Sequence, residues 1–105
     1  KEFKVKQSKP VVICVFDKNS MKDYINVQTI LRNAGVSTEI YPAESKLKKQ
    51  MEYANKIKSP AVILYGENEI KSGKTTLRNL SSGEEKSIEI EELVNEIKKI
   101  IQSNN

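Results

Sequence analysis

The most constraining stretch of the chain is Val11-Val12-Ile13-Cys14-Val15-Phe16, six apolar residues bounded by Pro10 and by Asp17-Lys18-Asn19. The run is short for a helix and lacks the alternation of a strand with one wet face, so it reads as a strand buried on both faces. A strand of that kind needs helices above and below its sheet. The sequence supplies them. Ser20-Met21-Lys22-Asp23 offers a hydroxyl N-cap with an acid three residues on, and Tyr24, Val27, Leu31 and Ala34 follow at helical spacing up to Gly35. Val36 to Tyr41, closed by Pro42, reads as a second strand. Leu47, Met51, Ala54 and Ile57 then mark the inward face of a second helix ending near Ser59-Pro60, and Ala61 to Tyr65 is a third apolar strand.

Strand, helix, strand, helix, strand with short connections requires parallel pairing through right-handed crossovers, because no tight turn reaches a parallel neighbour. The first three strands are expected in the order 2-1-3. From Lys74 the pattern changes: Thr75 to Leu80 and Glu85 to Ile90, separated by Ser81-Ser82-Gly83-Glu84, read as an antiparallel hairpin added to the sheet. Leu93, Val94, Ile97, Ile100 and Ile101 mark a final amphipathic helix, with acids at its start and Lys98-Lys99 near its end, as the helix dipole prefers. The fold class is therefore α/β: a three-layer α/β/α domain with a five-stranded mixed sheet and three helices. A chain of 105 residues holds one such core.

The chain contains no His, which removes imidazole as base or metal ligand; Ser-His-Asp chemistry, Cys-His proteases and most zinc sites go with it. No catalytic residue and no metal site is expected. No apolar run approaches the roughly 20 residues of a membrane helix. The single Cys14 has no internal disulfide partner and sits mid-strand, which predicts an inert core thiol. With no secretory h-region, the setting is expected to be reducing and cytoplasmic, and the sequon Asn79-Leu80-Ser81 idle. Residues 1–9 are charged and weakly patterned, as a linker entering a domain at Pro10 would be. The expectation is a piece of a longer protein, with the domain over 10–105.

Three features bear on chemistry. Gly73-Lys74-Thr75 matches the end of a phosphate-binding loop, but Asn68 stands where the motif has its first Gly, and a strand follows instead of a helix. A turn with Gly73 supplying an unusual backbone angle is the better reading. Charge is uneven: residues 44–58 carry Lys46, Lys48, Lys49, Lys56 and Lys58 against Glu44 and Glu52, and 71–78 carry Lys71, Lys74 and Arg78 without an acid. The acids gather at Glu84, Glu85, Glu89, Glu91, Glu92 and Glu96. A basic side on a chain of net charge +4 suits a phosphate-rich partner, although lysine-rich helices are also ordinary solvated faces. Finally, ligands of open parallel sheets bind at the carboxyl ends of the strands where the order reverses. That edge collects Asp17, Lys18 and Asn19 after the first strand and Gly66, Glu67, Asn68 and Glu69 after the third. Glu69 and Arg78 on one rim suit the reading of base edges in a splayed single strand; the plainer expectation is a surface ion pair between them.

The ordered set Leu31-Arg32-Asn33-Ala34-Gly35-Val36, Leu47-Lys48-Lys49-Gln50 followed by Ala54, Gly66-Glu67-Asn68-Glu69, Gly73 and Leu77-Arg78-Asn79-Leu80 resembles the carboxyl-terminal anticodon-binding domain of class II aminoacyl-tRNA synthetases. Within that family, which also serves the threonyl, prolyl and glycyl enzymes, it is most similar to the histidyl type. The resemblance spans roughly residues 10–101. It implies a five-stranded mixed sheet with three helices that grips the tRNA anticodon. It further implies a separate catalytic domain, using ATP and Mg, that charges the histidine-specific tRNA in a homodimeric protein. By position, Glu69 and Arg78 match family positions that contact anticodon bases, and Glu44 falls near a third, at the start of the second helix. Lys46, Lys48, Lys49, Lys71 and Lys74 would then position phosphates without reading sequence. Other uses of the scaffold are a regulatory paralogue and a protein-docking module.

Overall fold

The computed structural model describes residues 9–103. Its elements run β1 (Val11–Cys14), α1 (Met21–Asn33), β2 (Thr38–Ile40), α2 (Leu47–Lys56), β3 (Ala61–Leu64), α3 (Glu67–Ser72), β4 (Lys74–Asn79), β5 (Glu85–Glu89) and α4 (Ile90–Ser103), with one 3-10 turn at Lys18–Ser20. The sheet order is β2-β1-β3-β4-β5. β1 is parallel to both β2 and β3, and β4 is antiparallel to β3 and β5, so the mixed sheet and the 2-1-3 order both stand. Apart from Lys9, the linker expected over 1–9 lies outside the described residues.

All four residues of β1 are buried, as a central strand covered on both faces must be. The chain moves one way along the sheet from β1 to β2 and the other way from β2 to β3, so right-handed crossovers put α1 and α2 on opposite faces. α4 joins α1, and Tyr24, Val27 and Leu31 of α1 meet Leu93, Ile97 and Ile101 of α4 in one core with the β1 and β3 side chains. Cys14 is fully buried in that core, and burial pushes its thiol up to about 12.

Three local expectations change. Three helices become four, because Glu67–Ser72 closes a short helix where a loop was expected; its end is the Gly73 turn, at φ 77. Ser20 does not cap α1. Its hydroxyl donates to Asp17 Oδ2 at 3.2 Å, and Asp17 instead caps the 3-10 turn by accepting from Asn19 N–H at 3.0 Å. The inward face of α2 is turned from the expected one: Gln50 and Ala54 are buried, Met51 and Ile57 are half-buried, and Leu47 is 38% exposed. Asn79 is used by the fold, since its Oδ1 accepts from Ser81 N–H at 2.9 Å and organises the hairpin loop.

Candidate nucleic-acid interface

The parallel strands β2, β1 and β3 deliver three connections to one edge of the sheet: residues 41–46, 15–20 and 65–66. Glu44 belongs to the first and Glu69, at the start of α3, follows the third. Both carboxylates face backbone N–H groups. Glu44 Oε1 accepts from Lys18 N–H at 3.0 Å, tying the connections after β2 and β1 together. Glu69 Oε1 accepts from Gly66 N–H at 2.9 Å, which satisfies a donor at the start of α3 and fixes that carboxylate at the rim. Between the first two connections lies an open cleft of about 600 Å³ lined by Lys18, Met21, Pro42, Ala43 and Glu44. It offers an apolar floor, a carboxylate and an ammonium group.

A residue outside the expected set organises this edge. Gln50 is fully buried on α2; its Oε1 accepts from Val15 N–H at 2.7 Å, and its Nε2 donates to Val15 O and Ser45 O, each at 2.8 Å. One amide thus closes the end of β1 as a neighbouring strand would, and it anchors the connection that carries Glu44. A polar residue at a core-facing helical position, three before Tyr53 and four before Ala54, was the only sequence signal for it.

Arg78 does not meet Glu69. The register sets it opposite Val62 on one side and Glu85 on the other, so it lies back from the carboxyl end of β3. Its Nε and Nη2 both donate to Glu85 Oε1, at 2.9 and 2.5 Å. The ion pair expected between Glu69 and Arg78 is therefore replaced by a cross-strand pair. Opposite residues share a sheet face, and Thr76, Arg78, Glu85 and Ser87 occupy the face away from Leu77, Lys86 and α4, beside α2. Arg78 also lies near enough to Cys14 to oppose, weakly, the effect of burial on that thiol.

The lysines fall into two groups. Lys71 pairs with Glu67 at 3.5 Å, and Lys74 stands opposite Glu89, so the stretch that looked purely basic in sequence meets acids in space. On α2 the case is different. Lys46 is the N-cap residue and Lys48 and Lys49 stand in the first turn, which holds no acid; all three are exposed, and no ion pair engages them among the described residues. Also among the described residues, no group of three or more His, Cys, Asp or Glu could hold a metal ion, and no helix is long and apolar enough to cross a membrane. The site can accept hydrogen bonds from base amines at Glu44 and Glu69, donate from Arg78, and attract phosphate along α2.

A family model described as an anticodon binding domain matches residues 9–100. Histidine–tRNA ligases are 39% identical in Pelagibacter ubique over 95% of this chain and 23% of that protein, and 47% identical in Phocaeicola vulgatus over 69% and 16%. The histidine–tRNA ligase of Thermococcus kodakarensis is 38% identical over 95% and 23%. The crystal structure of histidyl-tRNA synthetase from Nostoc sp. PCC 7120 superposes with a TM-score of 0.84 at 28% identity, over 89% of this chain and 22% of that one. The chain thus spans less than a quarter of the length of these relatives. On its fold and on a family match that covers residues 9–100, the chain belongs to the anticodon-binding-domain family.

Proposed function

We propose that this chain is the anticodon-binding part of a histidine–tRNA ligase. The observation that carries the reading is the run of relatives bearing that one activity, at 38–47% identity over 69–95% of the chain. Residues 10–105 grip the anticodon, and residues 1–9 lead in from a separate catalytic domain. Glu44 and Glu69 accept hydrogen bonds from anticodon bases and Arg78 donates to one. Lys46, Lys48, Lys49, Lys71 and Lys74 position phosphates, the last two after exchanging their acidic neighbours for the RNA. ATP and Mg act in the catalytic domain, where histidine is activated and transferred. The whole protein works in the cytoplasm as a homodimer.

Base reading has a clear signature. Anticodon stem-loops for histidine, threonine and proline, titrated at one salt concentration, are expected to bind with the histidine loop tightest. Equal affinity for all three would mean phosphate attraction alone and overturn the assignment of base readers. A preference for the threonine or proline loop would move the chain to that branch of the family.

A further inference from the structure

Much of the positive charge of this chain gathers on α2 and its flanks. Residues 46–58 hold five lysines and one glutamate, a surplus equal to the net charge of +4 carried by all 105 residues; residues 1–9 carry four lysines against Glu2, and the rest of the chain carries twelve acids against nine bases. Lys46, Lys49, Tyr53 and Lys56 recur at helical spacing and form a stripe along one side of α2. The three lysines are exposed and make no ion pair among the described residues. Tyr53 is held upright between them: its hydroxyl donates to Glu39 Oε1 at 2.8 Å, and its ring meets Tyr41 edge-on, 5.4 Å between centroids. Three lysines at or before the third helical position also oppose the dipole of α2, a local cost that an external anion would relieve.

The other flank of the rim has the opposite character. On the hairpin, Arg78 is neutralised by Glu85 and Lys74 stands opposite Glu89, and α4 opens beyond them with Glu91 and Glu92. A polyanion whose loop enters the rim meets paired charges on that side and unpaired lysines on the other.

We propose that the α2 stripe seats the paired stem of the RNA arm whose loop occupies the rim, with Lys56 as its outermost contact. The proposal rests on the anticodon-binding reading and adds the direction in which the RNA leaves the site. α2 runs from Lys46, beside Glu44, away from the carboxyl edge of the sheet. Ten residues of helix span about 15 Å, enough to follow several phosphates of one strand beyond the loop. Gln50 keeps the stripe in register with the rim, because it bonds both the end of β1 and the connection carrying Glu44.

The buried Cys14 makes a direct test possible, since a thiol without exposure and raised to about 12 stays unlabelled while a new surface cysteine reacts. Two variants, Lys56→Cys on α2 and Lys98→Cys on the exposed side of α4, are each coupled to an iron chelate that generates hydroxyl radicals. Each is then bound to the histidine anticodon stem-loop. Cleavage of the stem from position 56 and none from position 98 is the expected result. A bound stem-loop cut from position 98, or from neither position, overturns the stem placement and leaves the anticodon reading intact. A stem-loop that the unmodified chain does not bind at all overturns both.

Discussion

Arg78 spends two of its five N–H donors on Glu85, through Nε and Nη2, and the outer edge of the guanidinium, with both Nη1 hydrogens, makes no bond among the described residues. That edge is the fork that reads guanine O6 and N7. The pair itself contributes little to stability: both side chains are about a third exposed, at 33% and 39%, which limits it to roughly 1 kcal/mol. The two roles separate in experiment. Arg78→Ala is expected to cost about 1 to 3 kcal/mol with the cognate loop and to narrow the gap to non-cognate loops, while Tm barely moves. Unchanged affinities with a lowered Tm would make the arginine structural. Arg78 was legible in the sequence as a candidate reader, but its partner was not. The reason is register: the loop closes with Gly83 N–H on Asn79 O and Asn79 N–H on Glu84 O, which brings Glu85 opposite Arg78 and leaves Glu69 to cap its own helix.

Among the elements, the buried strands were readable because burial on both faces leaves an uninterrupted apolar run, and α4 because Leu93, Ile97 and Ile101 repeat at helical spacing. α3 was not. Its six residues carry one apolar side chain, Ile70, so no periodicity announces it; it is held by the Glu69 bond to Gly66 N–H and the left-handed Gly73 after it. α2 was found but with its inward face misplaced, because Leu47 looked like a core residue and Gln50 like a surface one. The structure reverses them, and the energetic consequence can be measured by urea unfolding. Gln50→Leu keeps the volume but strands the buried N–H of Val15 and leaves its C=O only the long bond from Ser45 N–H at 3.4 Å, and is expected to lower stability by about 1 to 3 kcal/mol. It also removes the bond to Ser45 O, one of the two that anchor the connection carrying Glu44, so cognate binding should weaken beyond what the lost stability explains. Leu47→Ala, at an exposed position, should stay within about 0.5 kcal/mol. Equal losses for the two would restore the face expected from sequence.

At the scale of the whole molecule, the distribution of charge matters more than its total. A net charge of +4 spread evenly would attract any polyanion to any face. Here residues 46–58, α2 and its flanks, carry a surplus of four beside the connections that carry Glu44 and Lys18, while ion pairs engage Lys71, Arg78, Lys86 and Lys99 on α3, the hairpin and α4. Glu96 shows the balance on that side: Lys86, at 3.3 Å, and Lys99 hold its carboxyl below the usual range. Binding should therefore divide into a salt-dependent part from α2 and a sequence-dependent part from the rim. Lys49→Ala is expected to weaken the histidine, threonine and proline stem-loops by the same factor. It should also reduce the slope of log affinity against log salt by roughly 0.7 to 0.9, the values for one phosphate of a single and of a double strand, because one fewer counterion is released. Arg78→Ala should do the reverse, changing the ranking of the loops more than the slope. Lys99→Ala, on the paired side of the molecule, should alter neither. A slope that falls as much for Lys99→Ala as for Lys49→Ala would mean that the RNA senses only total charge, and the division between positioning face and reading rim would fail.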